Sequence, residues 1–279
     1  MTLKNILVAY NGNESSDAAL ATALLLQSRH DAHVTGLLVH GPSAMTRNLK
    51  PWMPPDVVDT VSELEERSYD GIRERFYQLA SQHTDAERIH WLQTGGETDR
   101  TVSHYAQYFD LTVVGRLEAL QEDLHLQLHP EQIALYSGRP VLAVPRKFSI
   151  NRFNNSALIA WDGKSAAARA MFEALPLLHG RQTVTILTIA DENTPPPPDG
   201  VTPSLALQRH GIEAKDVLLV REGRTSVESL LARFVTEQQP GLLIMGAYQR
   251  RKTLGRQAPS LADNVLAGSR IPVFISYRR

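Results

Sequence analysis

Asn5-Ile-Leu-Val-Ala-Tyr-Asn11-Gly12 and Ser156-Ala-Leu-Ile-Ala-Trp-Asp162-Gly163 share one pattern: an apolar run ending in an aromatic residue, then Asn or Asp, then Gly. Further along, Leu111-Thr-Val-Val-Gly115 is matched by Leu242-Leu-Ile-Met-Gly246, and Ser137-Gly-Arg-Pro140-Val by Gly268-Ser-Arg-Ile-Pro272-Val. The fragments recur in the same order and at similar spacing, so the chain carries a duplication. The copies are assigned to residues 1–147 and 154–279. The seam falls near Pro145 to Asn155, where the polar run Arg146-Lys-Phe-Ser-Ile-Asn-Arg152 separates them.

Within each copy, short β-branched runs bounded by Gly or Pro alternate with amphipathic stretches, the βαβ signature of a parallel sheet. The fold class read from this is α/β: two tandem doubly wound units, each a five-stranded parallel sheet flanked by helices. Strands are expected at 5–10, 32–39, 88–92, 111–115 and 141–144, and again at 157–161, 183–189, 216–220, 242–245 and 273–276. Ser15 and Ser16 are expected to cap the helix after the first strand, and Ser165 its counterpart. The halves are expected to keep separate sheets and to meet through 141–144 and 273–276, strands introduced by Pro140 and Pro272 that otherwise expose an edge. They differ after their second strands. A helix-like stretch runs over 57–79 in the first half, whereas Asp191-Glu-Asn-Thr-Pro195-Pro-Pro-Pro198-Asp-Gly200 predicts an extended, solvated excursion.

The 279 residues are about twice a common domain size, with 42% apolar and 21% charged residues. A net charge of −1 supplies no broad field to recruit nucleic acid or an anionic membrane. There is no cysteine, which excludes disulfides, thiolate metal sites and cysteine nucleophiles. No apolar run reaches the ~18 residues of a spanning helix, and residues 1–10 read as a strand, not a secretory signal. A cytoplasmic protein is expected.

In an open parallel sheet a ligand sits beyond the carboxyl ends of the strands where strand order reverses. The candidates are therefore Asn11-Gly12 and Asp162-Gly163, where an amide or carboxylate can receive hydrogen bonds from a base or ribose. Such dipeptides also build ordinary turns. Thr94-Gly95-Gly96-Glu97 and Arg221-Glu222-Gly223-Arg224 follow the third strands and read as crevice linings or as turn plus helix cap. His125 and His129, with Glu122 and Glu131 nearby, offer a weak metal face, but Pro130 argues for a helix start there. No metal site is assigned. No glycine-lysine phosphate loop, Gly-x-Gly-x-x-Gly, Gly-x-Ser-x-Gly or His-Glu-x-x-His is present.

The fragments Ile6 to Gly12, Ala32 to Val39, Leu111 to Gly115 with Ser137 to Val144, and Leu242 to Tyr248 resemble the universal stress protein family, in tandem form, over nearly the whole chain. The resemblance implies a Rossmann-like, adenine-nucleotide-binding fold, pairing of two units about a pseudo-twofold axis and a role in stress survival. ATP-binding members carry a loop of Gly, two residues, Gly, nine residues, Gly, then Ser or Thr after the fourth strand, an anion-cradling nest. Its positions here are Gly246, Gln249, Pro259 and Ser260 in the second half and Gly115, Glu118, Leu128 and His129 in the first. The second loop has lost two glycines but gained Arg250, Arg251, Lys252 and Arg256; the first carries Glu118, Glu122 and Asp123 where phosphates would sit.

The expected function is a regulatory or scaffolding binding module of the stress response, and no chemical step is assigned. A weak site for ATP or AMP is expected in the second half alone, formed by Asp162, Gly163, Gly246, Ala247, Arg250 and Ser260, with Asn11 and Gly115 at the degraded first site. A nucleotide-handling enzyme and a nucleotide-free scaffold are the alternatives. The partners expected are the other half of the same chain, a second copy forming a homodimer, and a protein client of unknown identity.

Overall fold

The computed structural model describes residues 2–41, 52–83, 86–116, 128–191, 194, 198–248 and 261–278. The first half runs β1 (Asn5–Ala9), α1 (Glu14–His30), β2 (His33–His40), α2 (Pro55–Ala80), β3 (Ile89–Gly95), α3 (Thr98–Ala106), β4 (Leu111–Arg116), α4 (Pro130–Ser137) and β5 (Val141–Pro145). The second runs β6 (Ser156–Trp161), α5 (Ser165–Glu173), α6 (Leu175–Leu178), β7 (Thr183–Ala190), α7 (Pro203–Gln208), β8 (Lys215–Val220), α8 (Val227–Gln238), β9 (Leu242–Tyr248), α9 (Leu261–Gly268) and β10 (Val273–Arg278). All ten expected strands form, with ends shifted by a few residues.

The strand order is β3-β2-β1-β4-β5-β10-β9-β6-β7-β8, so the second half repeats the first in reverse. Pairing is parallel within each half, and antiparallel only where Val273, Phe274 and Ile275 face Ala143, Leu142 and Val141. The two last strands thus meet as expected, but the expectation of two separate sheets is overturned. A main-chain ladder between β5 and β10 necessarily fuses both sheets into one of ten strands. It also moves these strands from the edge to the centre, leaving β3 and β8 as the edges.

A sheet covered on both faces needs apolar residues at successive positions, not alternate ones. Ile6 and Val8 enter one core with Val113, Ile159, Ile244 and Phe274, while Leu7 and Ala9 enter the other with Val114, Leu158, Leu243 and Ile275. Each core draws on both halves, so the seam is part of the interior. Helices α1, α2 and α5 cover the first face and α3, α4, α8 and α9 the second. Polar ties reinforce the seam: Arg116 donates to the Ser269 carbonyl, and Arg169 to that of Gly138 at 2.9 Å.

The caps differ from those expected. Asn13, not Ser15 or Ser16, caps α1, accepting the Ser16 N–H at 2.8 Å. Ser165 is already inside α5, whose cap residue Lys164 makes no side-chain cap bond. Asn13 wins because its amide oxygen sits one residue ahead of the first turn, while both serines are spent within it. Asp191, Thr194 and residues 198–202 are non-helical, consistent with the extended excursion, and the six-residue α7 follows. Pro195 to Pro197 lie outside the described residues.

Candidate functional site

Strand order reverses between β1 and β4 in the first half and between β6 and β9 in the second. Both reversals place a crevice at the carboxyl ends of these strands, as the doubly wound rule requires. The two crevices differ in volume. In the second half a cavity of about 70 Å³ is bounded by Trp161 and Asp162 from the end of β6, Met245 and Gly246 from β9, Leu187 and Ile189 from β7, and Leu231 from α8. The equivalent space in the first half, between Tyr10, Asn11, Leu37, Val102 and Leu128, measures about 10 Å³.

Asn11 and Asp162 make the same local structure. The Asn11 side-chain oxygen accepts the Asn13 N–H at 3.3 Å, and Asp162 Oδ1 accepts the Lys164 N–H at 3.0 Å. Gly12 and Gly163 follow at φ +80° and +72°, in the left-handed region these turns need. The turn reading is therefore satisfied in both halves. Asp162 keeps spare capacity, because among the described residues its second oxygen meets only Lys164 Nζ at 3.7 Å and an ionised carboxylate accepts about four hydrogen bonds.

Gly115 and Gly246 have a packing role. A methyl group at Gly115 would collide with the backbone of Ser15 and Ser16, and one at Gly246 with that of Ala166 and Ala167. These glycines let the first helix of each half lie against its fourth strand. Gly246 also lines the open cavity, whereas Ala247 is 2% exposed and belongs to the core. Ala247 shares that core face with Met245, which lines the cavity. Arg250, Ser260, Gln249, Arg251, Lys252, Arg256 and Pro259 lie outside the described residues, as do Glu118, Glu122, Asp123 and His125.

Behind the first-half crevice, on the face of the sheet that α1 and α2 cover, Tyr10 anchors a buried cluster. Tyr10 is fully buried, edge-on to Phe76 of α2 and Trp91 of β3, with its hydroxyl donating to Asp17 at 2.6 Å. Burial, then the Asp17 carboxylate, pushes its phenol well above the ordinary tyrosine range. Arg75 of α2 clasps the same carboxylate with two nitrogens. Leu128 occupies the mouth, and His129 caps α4 where Pro130 starts it, in line with the expected helix start. Asp99 takes both the His129 backbone N–H, at 2.9 Å, and its ring Nδ1, at 2.6 Å. That hydrogen bond raises the imidazole pKa. Among the described residues no group of three or more His, Cys, Asp or Glu side chains could hold a metal.

The Thr94 to Glu97 segment resolves to its structural reading: Glu97 caps α3, accepting the Arg100 N–H at 3.0 Å. Arg221 pairs with Asp191 at 3.2 Å. The sequence reading left Trp161 and the apolar walls Leu187, Ile189 and Leu231 unassigned. Trp161 carried a signal, since it stands opposite Tyr10 in the repeat.

A ten-stranded α/β sheet with two crevices of this kind defines a tandem doubly wound binding fold. The model of the universal stress protein family matches residues 2–145, and the chain belongs to that family. The match spans the first half; the second joins it through the repeat and the mirrored strand order. A universal stress protein from Archaeoglobus fulgidus DSM 4304 superimposes with a TM-score of 0.75 at 15% identity, over 99% of this chain and 98% of that one. A functionally unknown protein from Pseudomonas aeruginosa PAO1 gives 0.59 at 12% identity, over 99% and 92%. At such identities the likeness is one of fold. None of the curated proteins matches the chain, and no described helix is long and apolar enough to cross a membrane.

Proposed function

We propose that this chain is a cytoplasmic binding module of the stress response that takes an adenine nucleotide weakly in its second half, the first half serving as a closed structural partner. The observation that carries this reading is the larger space at the second crevice, about 70 Å³ against about 10 Å³ at the topologically equivalent position. Leu187, Ile189 and Met245 offer an apolar wall for a planar ring, and Asp162 offers acceptor capacity for an exocyclic amine or a ribose hydroxyl. The basic run 250–256 supplies charge for phosphate, while Pro259 lacks the N–H a phosphate nest uses. Affinity at the level of a monophosphate follows.

Calorimetric titration of ATP and AMP into wild type, Asp162→Ala and Asn11→Ala tests the proposal. A hydrogen bond to a charged acceptor contributes about 1.5–3 kcal/mol, so Asp162→Ala should weaken Kd by about 10–100-fold and Asn11→Ala should leave it unchanged. Loss with Asn11→Ala alone would reverse the assignment, and absence of binding to wild type would favour a nucleotide-free scaffold.

A further inference from the structure

Far from both crevices, two imidazoles meet on the outer pair of strands. His33 opens β2 and His90 is the second residue of β3, and His33 Nδ1 lies 3.0 Å from His90 Nε2. The ring centroids are 5.2 Å apart with the planes 21° from parallel, so the rings stand side by side, joined edge to edge by one N–H···N bond. Their backbones are fixed. Val34 and Thr35 are in ladder register with Ile89 and His90, and the His33 N–H donates to the Lys4 carbonyl at 2.7 Å. Arg88 bridges to the Asp31 carboxylate at 2.6 Å just below the pair. Both rings are solvent-accessible, and neither belongs to a hydrophobic core.

We propose that His33 and His90 form a two-imidazole site for a divalent transition-metal ion of the Ni2+ or Cu2+ type. Two nitrogens at metal–ligand distances of ~2.0–2.1 Å stand about 2.9 Å apart at a right angle and about 3.3 Å apart at a tetrahedral angle. The separation of 3.0 Å is close to the first value, the geometry of octahedral and tetragonal ions, so little backbone movement is needed to admit one. The rings themselves must rotate, since their inner lone pairs now face each other along the shared hydrogen bond. Each neutral ring carries one proton. The ring that donates in the metal-free pair shifts its proton to its other nitrogen, both inner nitrogens then present lone pairs, and no net proton is lost. Among the described residues no third side chain completes a cluster, so water fills the remaining positions. The ion would clamp edge strand β3 to β2.

The test is calorimetric titration of Ni2+ into wild type, His33→Gln, His90→Gln and the control His210→Gln, alongside thermal melts with and without Ni2+. Wild type and His210→Gln should bind one ion equally at this site and melt higher with it, because the ion binds the folded chain. Each of the other two variants should lose about 10–100-fold in affinity, at least the effect of removing a partner of a metal ligand, and lose the stabilisation. A metal-free melt matching wild type certifies the variants as folded. Independently of any variant, Cu2+ on the wild-type protein should give an electron paramagnetic resonance spectrum with two imidazole nitrogens. Isotherms unchanged by His33→Gln and His90→Gln, or a single coordinated nitrogen, would overturn the site.

Discussion

Tyr10 and Trp161 occupy the same place in the two copies, at the end of the first strand before an Asn-Gly or Asp-Gly turn, yet they end in different surroundings. Tyr10 is sealed beneath Phe76 and tied through Asp17 to Arg75, both contributed by the 26-residue α2. Trp161 is half-buried and lines an open cavity. The segment that follows β7 is proline-rich and leads to the six-residue α7, a far shorter counterpart of α2 that packs Leu207 into the same core. The same shortage shows at the sheet edge. Leu218 and Val220 of β8, on the face that α2 covers in the first half, are 64% and 58% exposed. A duplicated sheet therefore keeps its strand order with little help from its connections, whereas the length of one connection decides how fully the face of the sheet behind the crevice is covered. Leu128, just before α4, lines the first crevice.

The contrast can be broken most directly at the two aromatics. Removing a fully buried aromatic side chain costs about 3–5 kcal/mol, so Tyr10→Ala should lower the urea midpoint far more than Trp161→Ala, which should cost about 1–2 kcal/mol and mainly impair ligand binding. Equal losses of stability would show that the halves are closed to the same degree.

Gly115→Ala and Gly246→Ala should act alike, since each places a methyl group against the backbone of the preceding helix. Overpacking of this kind costs about 1–3 kcal/mol, read as a drop in melting temperature. If Gly246→Ala melted like wild type but lost nucleotide, its glycine would serve the ligand and not the packing.

The smallest effect belongs to His129. Its folded-state pKa is raised, first by the hydrogen bond to Asp99, above the ordinary 6.5. The stability it contributes is therefore fully present below about pH 6.5 and is lost as pH rises through the raised folded value. The midpoint difference between wild type and His129→Gln should be larger at about pH 6 than at about pH 9. A difference that grows with pH would mean that the neutral ring is what the fold needs.

The sequence by itself determined the duplication, the ten strands, the fold class and the two turn dipeptides, because apolar period, Gly and Pro placement and repetition are local signals. It also marked residues 141–144 and 273–276 as the contact between halves. Only the tertiary structure decided that this contact is a main-chain ladder joining everything into one sheet, since strand runs reveal pairing partners only after the chain has closed on itself. The same holds for the site. Asn11 and Asp162 were legible as turns, but the burial of Tyr10 depends on Phe76 and Trp91, more than sixty residues away in sequence. Gly115 and Gly246 looked like remnants of a phosphate loop because their collisions with Ser15 and Ala166 arise across a helix and strand brought together only by folding. Local chemistry names the elements of this protein, and long-range packing determines how much space each of its two equivalent crevices keeps.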